Sequence, residues 1–281
     1  MASTRPAAVA GSFYPATARA LNALLDDCFL TSPLGPQGTT QPNPAIIAGM
    51  VPHAGPIYSG PCAAHLYASL ESSFQRIILL GVDHRARGAK AALSPWTRWR
   101  TPLGDVGVDD ELNQLLRTRV AFLEPGESAH AEEHSIEIQL PFLQRILDDF
   151  LIVPISLSYV SIAQCAELGT AIAEAYDTAS AKNLRTLILA SSDLSHYLSP
   201  RETEQLDQMA LARVLALDPA GLLEIVEEKN ITMCGVLPTA VMLYAADALG
   251  VKRARLLKHC HSGDVTAMQE VVGYASVALE R

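Results

Sequence analysis

Charge is scarce in this chain of 281 residues: Asp, Glu, Lys and Arg make up 18%, and the balance is acidic, with a net charge of −9 at pH 7. A surface that neutralises phosphates needs the opposite sign, and no run of Lys and Arg supplies it, so nucleic acid is excluded as an expected partner. Cysteine is sparse too. Cys28, Cys62, Cys165, Cys234 and Cys260 are odd in number and widely spaced, unlike a disulfide framework; the expected compartment is the reducing cytoplasm. The longest apolar stretch, residues 235–250, is broken by Pro238 and Asp247 and falls short of the roughly 18 residues of a membrane span. Nor does the start of the chain, with Arg5, Pro6 and Pro15, resemble a signal peptide. There is no Gly-rich phosphate loop, no G-x-S-x-G elbow and no internal repeat.

Apolar material, at 49% hydrophobic residues, is ample for a large core. Four short apolar runs bounded by turn residues read as buried strands: 45–51, 76–82, 151–157 and 186–190. Between them apolar residues recur at three and four, which predicts helices over 16–30, 61–70, 109–119, 135–150 and 163–179. Helices follow at 201–217, 219–228 and 236–249, then strands at 254–260 and 273–279. Segment 31–44, with four prolines and two glycines, is the expected flexible loop. Alternation of strand and helix implies one α/β domain over 1–281, with a mostly parallel central sheet and helices on both faces.

Three of the apolar runs end on a histidine or an Asp/His pair: Pro52-His53, Asp83-His84, and Ser191-Ser192-Asp193-Leu194-Ser195-His196. Ligands of open α/β sheets bind beyond the carboxyl ends of the strands, so these endings converge on one expected site. A lone histidine after a strand is more often structural; three together carry the signal. His134 lies among Glu132, Glu133 and Glu137, either a solvated helix end or a histidine whose pKa carboxylates raise. Cys234 precedes an apolar helix and is either a small buried hydrophobe or a thiolate favoured by the helix dipole. Cys28, Cys62 and Cys165 read as core. His259-Cys260-His261 offers two histidines on one strand face, and a strand-end structural role is favoured over a metal role. His65 and His130 have no supporting context. A Ser/His/Asp hydrolase built on Ser191, Ser192, Asp193 and His196 is weak without the elbow.

Taken in order, Arg5-Pro6 with Gly11-Ser12-Phe13-Tyr14-Pro15, Pro52-His53-Ala54-Gly55, Thr101-Pro102-Leu103-Gly104, Glu133-His134-Ser135-Ile136-Glu137, Ser191 to Tyr197, and Cys234-Gly235 resemble the Memo-like proteins, called AmmeMemoRadiSam system protein B in prokaryotes. The resemblance spans nearly the whole chain. It implies a fold like that of the class III extradiol ring-cleavage dioxygenases and a metal held by His53, His84 and Cys234, with His134, Asp193 and His196 lining the same pocket. The chain departs from the family at Pro56, where an aromatic residue is usual, and at Asp83, where Asn or Ser is common. Two imidazoles and one anion suit iron(II) when the anion is a carboxylate; here it would be Cys234, and a softer thiolate raises affinity for copper and zinc. The expected function is a metal-dependent redox enzyme, with non-haem iron, acting on a small or peptide-borne aromatic substrate. In it His134 and His196 move protons, Asp193 orients a histidine, and Tyr58 and Asp83 contact substrate. Two alternatives stay open: a non-catalytic cleft that binds a peptide or phosphotyrosine-like ligand, and a zinc-dependent hydrolase. The oligomeric state is left open.

Overall fold

Each face of the central strands is buried under its own set of helices, and the residue alternation along β3 (Arg76–Val82) shows how. The computed structural model describes residues 3–281, so the first two residues of the expected 1–281 domain lie outside it. The N-terminal part holds β1 (Thr4–Arg5), α1 (Ala18–Asp26) running into a π-helical turn (Asp27–Thr31), β2 (Ile46–Val51) and α2 (Pro56–Ala68). After β3 come β4 (Ala91–Leu93), β5 (Arg98–Thr101), β6 (Gly104–Val108), α3 (Asp110–Arg119), β7 (Leu123–Pro125) and the single turn α4 (Glu127–His130). The chain continues through α5 (Gln139–Ile146), β8 (Leu151–Leu157), α6 (Ile162–Ser180), β9 (Thr186–Ser191) and β10 (His196–Leu198). It ends with α7 (Pro200–Leu215), α8 (Pro219–Glu228), α9 (Val236–Ala248), β11 (Arg253–His261), α10 (Ser262–Val265) and β12 (Val271–Glu280).

Ile78 and Leu80 of β3, with Val153 and Ile155 of β8 and Ile188 of β9, pack against α3, α6 and α9. Ile77 and Leu79, with Ile152, Leu187 and Leu189, pack against α1, α2 and α5. Burial on both faces is why these strands read as unbroken apolar runs rather than alternating ones. β3 lies between β8 and β9, all parallel, and β2 extends the parallel set beyond β9. The carboxyl ends of β2, β3 and β9 therefore open on the same edge. Helix starts are marked locally: Asp109 caps α3, and Ser161 and Ser199 form capping boxes with Gln164 and Glu202. No helix among the described residues is long and apolar enough to cross a membrane.

The sheet is mixed rather than mostly parallel. β12 pairs antiparallel with β2 and β11, and β5 with β6. The short connections β5–β6 and β11–β12 leave room for a hairpin and none for the long crossover that parallel pairing needs. The short strands β1, β4, β7 and β10, and β5 and β6, have too few apolar residues to stand out in sequence. Two helix boundaries also move. α2 starts at Pro56 rather than Pro61, since proline is well suited to the first helical position. The helix expected over 135–150 is regular only over Gln139–Ile146, because residues 135–138 form turns whose side chains serve the site.

Candidate metal centre

His53 follows β2, His84 follows β3 and Asp193 follows β9, while His134 precedes α5 and Cys234 precedes α9. All five line one cleft of about 570 Å³. Ligand atoms of His53, His84 and His134 lie within 4.8 Å of one another, and so do those of His53, Asp193 and Cys234. His53 belongs to both groups. The rings of His84 and His134 stack at 4.5 Å, and His53 meets each edge-on, at 5.2 and 5.5 Å.

Two glycines permit these approaches. A Cβ on Gly81, near the end of β3, would run into Ser135 and Ile136, and one on Gly235 would run into Ser191 and Ser192. Each glycine thus lets the segment carrying His134 or Cys234 close against a strand end. The Gly235 amide also donates to Ser192 Oγ at 3.1 Å.

The protonation of His53 is fixed by hydrogen-bond accounting. Ser191 Oγ donates to the Ser135 carbonyl at 2.8 Å and accepts from Gln139 Nε2 at 2.9 Å. Its remaining lone pair faces His53 Nδ1 at 2.9 Å, so Nδ1 carries the proton. Gln139 is itself oriented, its Nε2 donating to the Pro52 carbonyl and its Oε1 accepting from Tyr67. The lone pair of His53 Nε2 is left facing Cys234 Sγ at 3.2 Å. This is the tautomer that a metal ligand requires. The same contacts dispose of the serine hydrolase: Ser191 is buried with its proton committed, and Ser192 Oγ donates to the Asp193 carbonyl.

Burial pushes the pKa of His53 well below its ordinary value, with repulsion from His84 and His196 adding to it. His84 moves the same way for the same first cause. His134 is brought down to about 3 by burial and then by His53 and His84, the reverse of the rise expected from its carboxylate neighbours. Those neighbours face elsewhere. Glu132 pairs with Arg85 and Arg87 at the surface, and Glu133 Oε1 accepts from Ser135 Oγ and the Ile136 amide. Cys234 departs from the thiolate reading, since burial and the nearby Asp193 carboxylate raise its pKa against the weaker pull of the backbone at Asp193, Gly235 and Cys234 itself. Asp193 Oδ1 accepts from the amides of His53 and Ala54 at 2.7 and 3.2 Å, and burial raises its carboxyl pKa.

His196 lines the cleft outside both groups. Its Nδ1 faces the carbonyls of Leu194 and Thr232 at 2.7 and 2.9 Å, so that nitrogen is a donor. Neither of the other two residues expected at substrate lines this cleft, although Asp83 borders an adjoining cavity together with Phe13, His84 and His134. Asp83 accepts from the amides of Arg85, Arg87 and Gly88 and shapes its own loop, and Tyr58 lies on α2 outside the cleft lining. His259 bonds Asp207 at 2.9 Å, His130 bonds the Ala92 carbonyl and His65 that of Leu34, three structural roles.

Sequence reasoning passed over the support beneath the site. Glu137, fully buried, pairs with fully buried Arg5 at 2.6 Å and accepts from Tyr14 and the amides of Ala8 and Val9. Arg5 also donates to the carbonyls of His130 and Glu133 and sits 4.0 Å over the Trp99 ring. This clamp holds the N-terminal segment so that Phe13 lies 4.8 Å from the His134 ring. One signal was available: Glu137 and Gln139 alternate with Ile136, Ile138 and Leu140 where a solvent-facing pattern would not.

Neutral imidazoles, a carboxylate and a thiol are a nitrogen, oxygen and sulfur donor set suited to borderline transition ions rather than to calcium or magnesium. A sequence profile of the Memo-like protein family matches residues 5–278. MEMO1 family proteins from Methanopyrus kandleri and Ignicoccus hospitalis are 39% and 42% identical, over 99% and 97% of both chains. One from Pyrobaculum arsenaticum is 38% identical over 99% of both. With the match running from the Arg5 clamp through every residue of the cleft, the chain belongs to the Memo-like family.

Proposed function

We propose that the protein is a metal-dependent oxidoreductase whose cleft holds iron(II) through His53, His84 and Cys234, with Asp193 beside them, and takes a small or peptide-borne aromatic substrate. The observation that carries this reading is the locked His53 tautomer, which aims Nε2 at Cys234 within a ring of neutral imidazoles. Iron(II) would supply activation of dioxygen there, the chemistry that two histidines and a carboxylate support with positions left open, and Asp193 is the carboxylate beside His53 and Cys234. Likeness to the class III extradiol dioxygenases in fold is part of the same proposal, as is a cytoplasmic location.

The chain's own residues supply the rest. His196, with Nδ1 committed to two carbonyls, has Nε2 free to accept the proton of a phenolic hydroxyl. His134, neutral at pH 7, is a second acceptor beside the metal donors. Phe13 and Tyr197, both exposed, line the cleft and would offer aromatic surface to a planar ring.

The test is metal analysis of protein purified anaerobically without chelator or nickel resin, followed by oxygen uptake with a panel of catechols. Stoichiometric iron with substrate-dependent uptake is the expected result. Zinc alone with ester or amide cleavage and no uptake would replace this reading with hydrolysis. Ligand binding indifferent to chelator, with no metal, would replace it with a binding role.

A further inference from the structure

Cys234 has a second open side. Away from the metal cleft it lines a cavity of about 580 Å³ between the β8–α6 connection and the start of α9. That cavity shares Val160, Val236 and Leu237 with a third one, of about 620 Å³, which reaches α8. The two cavities adjoin and make one trough, which meets the metal cleft at Cys234. Its middle is apolar and open to water: Tyr159 is 73% and Ile162 48% exposed, and Val160, Leu223, Val226 and Leu237 are half-buried. Isolated exposed apolar residues are ordinary, but a contiguous set leading to a site marks a binding surface.

Charge is distributed along the trough with a direction. Lys90 lies near the Cys234 end, and Glu224 and Glu227 lie at the far end. Neighbouring Glu228 is paired with Lys229, whereas Lys90, Glu224 and Glu227 enter no ion pair among the described residues. A single-chain amphiphile carries charge at one end and would leave the other end of this trough unmatched. A peptide of mixed sequence matches both.

We infer that the trough is a subsite for an extended peptide: an acidic residue against Lys90, apolar side chains over Val160, Ile162 and Leu237, and a basic residue against Glu224 and Glu227. The inference rests on the reading of the adjacent cleft as the place of action, which the peptide end beside Cys234 would enter. It assigns the peptide-borne form of substrate a place to lie. Apolar contacts would set the affinity and the two ends its polarity.

The probe is the fluorescein-labelled peptide Glu-Ser-Val-Thr-Leu-Ser-Val-Lys-Lys and its reversed sequence, followed by fluorescence anisotropy at low salt. One of the two orientations should bind. Ile162→Asp and the pair Glu224→Lys with Glu227→Lys should each weaken it about tenfold or more. The charge pair should regain affinity for a peptide whose two lysines are replaced by glutamate. All variants are surface changes away from the donors, so unchanged thermal midpoint and metal content serve as the folding control. Affinity unmoved in both variants overturns the inference, as does equal affinity for a norleucine-for-lysine peptide. Dodecylamine binding as tightly, with the same loss in I162D, replaces the peptide with an amphiphile. Repeating the titration in His53→Ala separates the two readings: the variant should lose metal and keep its peptide affinity, whereas peptide bound with metal content unchanged from wild type leaves the subsite standing and removes the proposed centre. Wild-type protein that binds metal stoichiometrically but neither peptide removes the subsite and leaves the centre.

Discussion

His53 Nε2 and Cys234 Sγ lie 3.2 Å apart although 181 residues separate them in the chain. Two donor atoms at that distance would either form a weak thiol–imidazole hydrogen bond or share a cation. Replacing His53, His84 or Cys234 by Ala is expected to abolish stoichiometric metal binding while leaving the circular dichroism spectrum unchanged, because these residues lie in the connections after β2 and β3 and before α9 rather than within the core elements. Full metal content in all three variants would remove the site.

Ser191→Ala tests whether tautomer control matters. Without Ser191 Oγ, nothing holds the proton on Nδ1, and metal affinity should fall about 10- to 100-fold, the usual effect of removing a hydrogen bond to a metal-bound histidine. Nitrogen-15 imidazole shifts should show a single Nδ1–H form for His53 in the wild type and a mixture in the variant. A single form in both would assign tautomer control elsewhere.

The raised pKa of Cys234 reverses the usual expectation for a cysteine at a helix start. In metal-free protein at pH 7 it should alkylate no faster than Cys28 or Cys165, whose pKa values burial lifts to about 12 and about 11. Loading with metal must then expel the thiol proton. Calorimetry in two buffers of different ionisation enthalpy should detect its release, with one proton fewer in Cys234→Ser. Rapid alkylation of Cys234 in the apo protein would contradict the burial argument.

Stability should fall as the metal-free protein is acidified. Folded His130 and His134 are held near 3, against 6.5 when unfolded, so the stability they contribute is complete above pH 6.5 and is lost as pH falls towards 3. Glu133 acts oppositely. Its carboxyl, raised to about 7, contributes fully below 4.5 and loses that contribution as pH rises through 7. Each group accounts for about 1.4 kcal/mol per pH unit within its window. His130 and His134, with His53 and His84 moving the same way, outweigh Glu133 and Asp193 between pH 6.5 and 4.5. Urea midpoints at three pH values in that range should therefore decrease on acidification, and level or rising midpoints would refute the balance.

Glu137→Gln should be the most damaging single change outside the cleft. It leaves buried Arg5 without its counter-ion, a loss of about 3–5 kcal/mol, and releases the segment that holds Phe13 against His134. Chemical denaturation measures the first effect. Phe13→Ala, which should reduce ligand affinity with little loss of stability, isolates the second.

What sequence revealed, and what it hid, follows from how each residue signals its place. His53, His84 and Asp193 were legible because each interrupts an apolar run where a buried strand ends. The central strands were legible for the same reason. Ser191 and Gln139 were not, because an uncharged polar residue among apolar ones looks the same whether it orients a histidine or fills space. Arg5 and Glu137 were visible as residues but not as a pair, since nothing local links positions 132 residues apart. The pKa directions of His134 and Cys234 were not legible because sequence shows the nearest charges and helix start, whereas burial, the larger effect, is produced by distant segments.

The order of the sheet also bears on how the protein comes to exist. β2 is made early, but its neighbours are β9 and β12, so an apolar strand emerges from the ribosome long before either partner. Closing loops of this length is entropically slow, and non-local pairing of this kind delays folding. His53 inherits the delay, because Ser191, Asp193 and Cys234 arrive only with the last third of the chain. The candidate metal centre is thus among the last features to assemble, and in refolding the recovery of metal affinity should coincide with the slowest phase.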